Sequence, residues 1–365
     1  VTAFAALAAW VYLLLWHGRF WESRPELAPM LPARAPDVAI VVPARDEAAV
    51  IAASIGSLLA QDYPGRFRVV LVDDGSTDGT GDIARALPGG EILRVLPGAA
   101  RPAGWAGKPW AMAQGVAETD EEYVLLTDAD IVHAPLHLAT LVAQAEATGC
   151  DLVSEMVALN CTSAAERALV PAFVYFFQLL YPFARVNDGL RATAGAAGGT
   201  MLIRRRALDR IGGIDAIRDR LIDDCALAVA VKRGGRIWLG HSGLARSVRP
   251  YPRTVDIWRM VTRSAYVQLG YSPLLLLGTV LGLGLMFLAP VWFALFGHGW
   301  AQVAGALAWL GMAFSLQPTL RRYGRAAPWG LALPAIAVFY MAATVASAWN
   351  HHFGRGVVWK SRAYS

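Results

Sequence analysis

Apolar positions fall into two regimes along the chain. Residues 1–16 are almost wholly apolar, and three long apolar runs cover 273–296, 300–317 and 329–349; between about 37 and 265 short apolar runs alternate with polar turns. In that middle region residues 37–42, Asp-Val-Ala-Ile-Val-Val, predict a buried strand, and 48–61 predict a helix with Val50, Ile51, Ile55, Leu58 and Leu59 on its apolar face. The same alternation predicts strands at 67–72, 91–95, 123–127 and 151–157 and helices at 110–119, 135–148 and 226–232. At 195–206 it predicts a flexible Gly-rich approach to another strand. Strands alternating with helices imply an α/β domain built on a parallel sheet with right-handed crossovers. Residues 163–186 fit less well, being long, aromatic and apolar but interrupted by Pro171, Gln178 and Pro182. They read as a buried helix or as one lying in a membrane surface, and the second reading is favoured.

Composition supports two regimes in one chain. Of 365 residues 56% are hydrophobic and 17% charged, too apolar for an ordinary soluble protein and too polar for a membrane bundle throughout. The expected organisation is an N-terminal transmembrane anchor at 1–18, a Pro-rich linker at 19–36, the α/β domain at 37–265, transmembrane helices at 266–350 and a basic tail at 351–365. A span needs about 20 residues, so 1–16 is expected to be the remainder of a longer helix. A cleaved signal peptide is the rival, but no small-residue cleavage site follows.

Charge then orients the spans. Arg246, Arg249, Arg253, Arg259 and Arg263 precede the first, and Arg321, Arg322 and Arg325 separate the second from the third, which places both loops in the cytoplasm. Simple alternation leaves Arg355, Lys360 and Arg362 outside, against the same rule, so either the last segment is re-entrant or one span is miscounted. Cys150, Cys161 and Cys225 form no CxxC pair, which fits a reduced, cytosol-facing domain. The net charge of +5 comes without any nucleic-acid-binding module, so no nucleic-acid partner is expected.

Candidate chemistry lies at the ends of the predicted strands. The strand at 123–127 runs into Asp128-Ala-Asp130, two hard oxygen donors where open α/β sheets place ligands. Such a pair can clamp a nucleotide diphosphate through Mg²⁺ or Mn²⁺, or can be an ordinary polar strand-to-helix turn. Residues 73–80, Asp-Asp-Gly-Ser-Thr-Asp-Gly-Thr, match the opening of an EF-hand loop but fail at its twelfth position, Arg85, where Glu is needed. Gly104-Trp105-Ala106-Gly107-Lys108-Pro109 is not a Walker loop, because Pro109 stands where Ser or Thr must hold Mg²⁺. Lys108 at a helix mouth still reads as a phosphate partner or as a solvated surface lysine. Asp223 and Asp224 precede the helix at 226–232; capping explains one of them and not both.

Pro-Ala-Arg-Asp-Glu at 43–47, Val-Asp-Asp-Gly-Ser-Thr-Asp at 72–78, Gly107-Lys108, Asp128-Ala-Asp130 and Asp223-Asp224 stand in an order that resembles glycosyltransferase family 2, across residues 38–265. The terminal apolar segments and Trp105-Ala106-Gly107-Lys108 are similar to the hopene-associated glycosyltransferases of bacterial hopanoid gene clusters. The resemblance implies an α/β fold, a glycosyltransferase A-type, Rossmann-like nucleotide-binding domain with N-terminal and C-terminal transmembrane helices. It implies that Pro43, Arg45 and Glu47 edge the nucleotide and that Asp74 accepts a hydrogen bond from a uracil-like base. Asp128 would then sit near the ribose and donor sugar, Asp130 would hold Mg²⁺ or Mn²⁺ on the diphosphate together with Asp128, and Asp224, with Asp223 beside it, would be the general base. Lys108 would face the diphosphate. Processive members carry Gln-x-x-Arg-Trp after the base; here Met260-Val261-Thr262-Arg263-Ser264 keeps only the arginine, which argues against extended-chain synthesis. Arg259 and Arg263, four apart, would meet a diphosphate or lipid headgroup, or simply anchor the chain at the membrane.

The expectation is thus an inverting enzyme of the bacterial inner membrane, its α/β domain in the cytoplasm, moving one sugar from a nucleotide-diphosphate sugar such as a UDP-sugar onto a hopanoid or other polyisoprenoid lipid. The alternatives are a polyprenyl-phosphate sugar synthase, whose acceptor needs no strong base, and a silent nucleotide-binding scaffold.

Overall fold

The structure, a computed structural model, describes residues 1–354 and the backbone of Val357–Trp359 and Arg362–Tyr364. Arg355 and Lys360, and with them the expected side of the basic tail, lie outside the described residues. The chain forms two compact units: Pro25–Asn160 with Arg185–Pro250, and Val1–Arg24 with Cys161–Ala184 and Tyr251–Ser365.

The first unit is built on a sheet of nine strands among the described residues: β1 (Glu26–Leu27), β2 (Val38–Ala44), β3 (Phe67–Asp73), β4 (Leu93–Pro97), β5 (Tyr123–Thr127), β6 (Ile131–His133), β7 (Leu152–Ala158), β8 (Thr200–Arg204) and β9 (Ile237–Ser247). Their order is β1-β9-β7-β8-β5-β2-β3-β4, with β6 on β9. Val38 to Val42, Val69 to Val72 and Tyr123 to Leu125 have no measurable exposure, as strands covered on both faces require. The sequence predicts β2, β3 and β5 to within two residues, whereas β1, β6 and β9 are strands it does not predict.

The sheet is mixed rather than parallel throughout. Strand β8 runs antiparallel between β5 and β7, and β6 antiparallel to β9, while β2, β3, β4 and β5 are parallel. A doubly buried strand such as β8 carries the same apolar run in either direction, so periodicity could not reveal its sense. Order reverses between β2 and β5, and at that switch point Arg45 to Glu47 and Asp128 to Asp130 leave adjacent carboxyl ends.

Local hydrogen bonds move several expected boundaries. The helix predicted from 48 starts later, as Ile51–Leu59, because Glu47 N–H donates to Thr80 Oγ1 at 2.8 Å and Ala48 N–H to Asp78 Oδ2 at 2.9 Å. The helix Gly107–Ala117 starts earlier than expected and takes Lys108 into its first turn. The helix expected at 226 starts at Asp223, and its N-cap is Ile222, so neither Asp223 nor Asp224 caps it. The Gly-rich approach at 195–199 is pinned rather than flexible: Ser154 Oγ accepts from Ala197 N–H at 2.9 Å and Asp224 Oδ2 from Gly198 N–H at 2.8 Å.

The second unit is helical. Its helices include Thr2–Trp16, Ala164–Leu180, Thr254–Gln268, Trp300–Arg322 and Leu333–Phe353. Three segments, Pro273–Phe296, Trp300–Arg322 and Ala327–Phe353, are long and apolar enough to cross a membrane. The first contains a π-helical turn, Gly284–Leu288, where Met286 O accepts from Trp10 Nε1 at 2.7 Å. Residues 161–184 group with this unit, not with the α/β domain where an uninterrupted 37–265 domain would put them. The reason is chemical: Tyr175 Oη meets Ser315 Oγ at 2.7 Å, Thr319 Oγ1 donates to Gln178 Oε1 at 3.2 Å, and Phe176 packs on Phe287 and Tyr340. At its start Ser163 and Glu166 form a capping box, and Glu166 Oε1 also accepts from Tyr251 N–H at 2.6 Å.

Candidate active site

Strand β5 ends at Thr127, and the two aspartates that follow face different partners. Lys108 Nζ lies 2.8 Å from Asp128 Oδ1 and 3.1 Å from Asp223 Oδ2. Burial works against the charge on Lys108, yet Asp128, Asp223 and Asp224 raise its affinity for a proton above that of an ordinary lysine. Asp224 accepts Gly198 N–H at 2.8 Å on Oδ2 and Cys225 N–H at 2.7 Å on Oδ1. Its carboxyl is nevertheless pushed up to about 6, first by burial and then by the negative charge of Asp223. A Cβ at position 198 would stand 3.1 Å from Asp224 Oδ2 and 3.4 Å from Lys108 Nζ, so only glycine lets this backbone approach the cluster without crowding it. Lys108, Asp128, Asp223 and Asp224, from three separate segments, thus become one group: three carboxylates around one ammonium.

Asp130 belongs to a second group. Arg249 Nε donates to its Oδ2 at 2.8 Å and Ser247 Oγ at 3.1 Å, while Arg249 Nη2 reaches Glu47 Oε1 at 2.6 Å. Burial raises the Asp130 carboxyl above the usual range and Arg249 opposes the rise. The sequence suggested only a membrane-flanking role for Arg249. It lies 119 residues from Asp130, and nothing local marks the pairing.

The loops after β2 and β3 are stitched together by their side chains. Arg45 Nη1 donates to Asp74 O at 2.5 Å, Asp46 N–H to Ser76 Oγ at 2.9 Å, and Thr77 N–H to Asp46 Oδ1 at 2.8 Å. Asp46 adopts φ of +50°, a left-handed conformation that aspartate tolerates better than most residues. Asp78 is held below the ordinary carboxylate range against its burial, first by the Thr80 hydroxyl and then by the Ala48 and Thr80 N–H groups. These carboxylates are committed to backbone and hydroxyl donors, which explains the Asp-rich loop as a folding element and not as an EF-hand. Asp74 is 4% exposed beside Arg45, and Pro43 pairs with Val72 within the sheet. Arg263 is exposed on the helix Thr254–Gln268 of the helical unit.

Among the described residues no three His, Cys, Asp or Glu side chains gather as a metal cage. Asp128 and Asp130 offer the two hard carboxylates that suffice for Mg²⁺ or Mn²⁺ when substrate phosphates and water complete the shell. Each of the two already lies against a cation, Asp128 against Lys108 and Asp130 against Arg249, so an ion held by both would have to displace those contacts.

This arrangement can bind a nucleotide diphosphate at the switch point and set a carboxylate of raised pKa beside it. Comparison with known proteins bears on the family and the fold. The model of the family "Glycosyl transferase family 2" matches residues 39–212. A beta-monoglucosyldiacylglycerol synthase of Nostoc sp. is 30% identical over 250 residues, 63% of this chain and 52% of its own length, so the chain spans about half of that relative. The succinoglycan biosynthesis protein ExoU of Rhizobium meliloti is 30% identical over 248 residues, 63% of this chain and 69% of its own. Among solved structures, mannosyltransferase PcManGT from Pyrobaculum calidifontis, in complex with GDP-Man and Mn²⁺, aligns over 95% of this chain and 99% of its own with a TM-score of 0.55 at 21% identity. The chain belongs to glycosyl transferase family 2, and its mixed α/β unit has the glycosyltransferase A-type fold.

Proposed function

We propose that this chain is a membrane-bound, inverting glycosyltransferase that moves a single sugar from a nucleotide-diphosphate sugar to a lipid hydroxyl. The observation that carries the reading is Asp224, whose carboxyl is pushed up to about 6 within 2.8 Å of a fixed N–H donor and beside Lys108. A base with a pKa near working pH combines availability with driving force for proton transfer.

In this reading the acceptor oxygen attacks the anomeric carbon on the face opposite the leaving group, its proton passes to Asp224, and the bond from the anomeric carbon to the phosphate oxygen breaks with its electron pair going to the diphosphate. Asp223 holds the Lys108 ammonium where it offsets that charge. Arg45, Glu47, Asp74 and Pro43 wall the nucleotide. Asp130 and Asp128 would hold Mg²⁺ or Mn²⁺, and the chemistry such an ion supplies is neutralisation of the diphosphate.

A lipid acceptor is supported by the Nostoc relative, whose name denotes a glucosyldiacylglycerol, and by three segments able to cross a membrane. The acceptor favoured here is a hopanoid or other polyisoprenoid alcohol, met in a bacterial inner membrane with the α/β unit on the cytoplasmic side. Free Cys150, Cys161 and Cys225 suit a reducing compartment. The donor class has a precedent in GDP-Man bound to the solved mannosyltransferase, and a UDP-sugar is the expected donor.

The test supplies purified protein with radiolabelled UDP-glucose, UDP-N-acetylglucosamine or GDP-mannose, Mn²⁺ or Mg²⁺, and total bacterial lipid extract. Label from one donor should enter the lipid phase as a single-sugar adduct, and chelation should stop it. Label remaining in water with every donor contradicts the reading.

A further inference from the structure

Beneath the carboxylates a chain of buried polar side chains runs through the α/β unit, and nothing above uses it. Thr127 donates its hydroxyl to Gly199 O at 2.7 Å and lies 3.3 Å from His133 Nε2. His133 Nδ1 stands 3.0 Å from His137 Nδ1, and His137 Nε2 stands 2.6 Å from Glu155 Oε1, which also accepts from Thr200 Oγ1 at 3.2 Å. None of these five residues is more than 4% exposed. A row of buried titratable groups is costly to maintain unless every donor finds an acceptor.

Counting protons gives the chain a direction. The Thr127 hydroxyl has one proton, directed to Gly199 O, so its oxygen must accept from His133 Nε2–H. Burial, and then His137, hold His133 well below the usual histidine range, so its ring is neutral and its Nδ1 accepts from His137 Nδ1–H. One further proton lies between His137 Nε2 and Glu155 Oε1. The donors therefore all point the same way, from the Glu155 pair toward the Gly199 carbonyl, and each bond polarises the next.

Where the chain ends is what matters. Each residue of 196–199 is gripped: Cys225 Sγ donates to Ala196 O at 3.6 Å, Ser154 Oγ accepts from Ala197 N–H and donates to Ala197 O, Gly198 N–H donates to Asp224 Oδ2, and Thr127 donates to Gly199 O. Asp128 N–H also donates to Gly199 O, at 3.3 Å. The Gly198–Gly199 peptide therefore links the end of β5, which carries Asp128, to the helix that carries Asp224.

We propose that Thr127 and the His133–His137–Glu155 chain behind it are positioning residues that fix the Gly198–Gly199 backbone and so aim the Asp224 carboxylate. This rests on the reading of Asp224 as the base. Two glycines in sequence have the widest conformational freedom of any pair, and without an anchor at the Gly199 carbonyl the Gly198 N–H would not hold one direction. A misplacement of about 1 Å at a reacting group costs on the order of a hundredfold in rate.

The test compares three variants. Thr127→Val removes the hydroxyl at nearly constant volume, Thr127→Ser keeps it, and Thr140→Val removes a buried hydroxyl that donates to Leu136 O and accepts from Met30 N–H. Hydrogen exchange read by mass spectrometry, with no substrate added, should show several-fold faster exchange over 194–200 in Thr127→Val alone. With whichever donor labels lipid in the wild type, Thr127→Val should lose roughly tenfold to a hundredfold in kcat while calorimetric affinity for the matching nucleoside diphosphate stays within about twofold. Thr127→Ser should restore both readouts. Unchanged exchange over 194–200, equal acceleration in Thr140→Val, or failure of Thr127→Ser overturns the proposal. A wild type that labels no lipid with any donor would instead count against the proposed function, and the exchange comparison would still decide this one.

Discussion

The two edges of the same sheet treat charge in opposite ways. At the amino end of β5, Tyr123 Oη donates to Glu146 Oε1 at 2.6 Å, Arg204 reaches the same carboxylate at 2.9 Å, and Arg34 spans Glu146 and Glu122. Arg66 pairs with Asp37 at 2.7 Å, and Arg68 with Glu121. Four arginines face these four carboxylates, Arg34 and Arg204 being shared between Glu122 and Glu146, and Glu146 is held down to about 2, chiefly by its hydrogen bond from Arg34. At the carboxyl end Asp128, Asp223 and Asp224 share one lysine, and Asp224 is pushed up to about 6. The first edge is arranged for stability. The second keeps an electrostatic imbalance that folding alone does not require, and such imbalance is common where a chain does chemistry.

The contrast can be broken at its strongest point first. Lys108→Met removes the ammonium that pairs with both Asp128 and Asp223, and turnover should fall by roughly 10²- to 10³-fold, as when one preorganised donor to a developing charge is lost. Calorimetry should show weaker nucleoside diphosphate binding as well, and full turnover would mean that the cluster is structural.

Glu146→Gln addresses the other edge and should act on stability alone. A carboxyl whose folded pKa is depressed stabilises the fold above its unfolded value and loses that contribution as pH falls from about 4.5 to about 2. Because Arg34 is half exposed, the loss near neutrality should be no more than about 1 kcal/mol, a shift of a few degrees in Tm, with transfer per folded molecule unchanged. Thermal scans across this pH range check the sign: the gap between wild type and variant should narrow toward pH 2.

The sequence revealed these two edges unequally. Strands β2, β3 and β5 were legible because each is a continuous apolar run, and the carboxylates at their ends were legible because strand ends at a switch point are few. The antiparallel sense of β8 was hidden because its burial pattern is the same in both directions. Arg249, Gly198 and the His133–His137–Glu155 chain were not legible as site elements, since their partners are 119, 26 and 18 or fewer residues away with no local pattern linking them. The helix Ala164–Leu180 falls inside the expected 37–265 bounds although its aromatic, Pro-broken pattern favours a membrane surface, because sequence order says nothing of the hydroxyl and amide contacts, 140 and 141 residues apart, that sort it with the terminal helices.

Asp224→Asn tests the central claim most directly. A carboxyl whose folded pKa is raised to about 6 from a model-peptide value near 3.9 favours the protonated chain, so wild-type stability should fall as pH rises from about 4 to about 6. The asparagine carries no such penalty. At pH 8, thermal unfolding of the purified protein in detergent should show Asp224→Asn melting above wild type, a difference that closes near pH 4, while sugar transfer to lipid is lost by roughly 10²- to 10⁴-fold. A variant that melts lower than wild type at pH 8, or that still transfers sugar, would contradict the assignment of Asp224 as a strained and functional base.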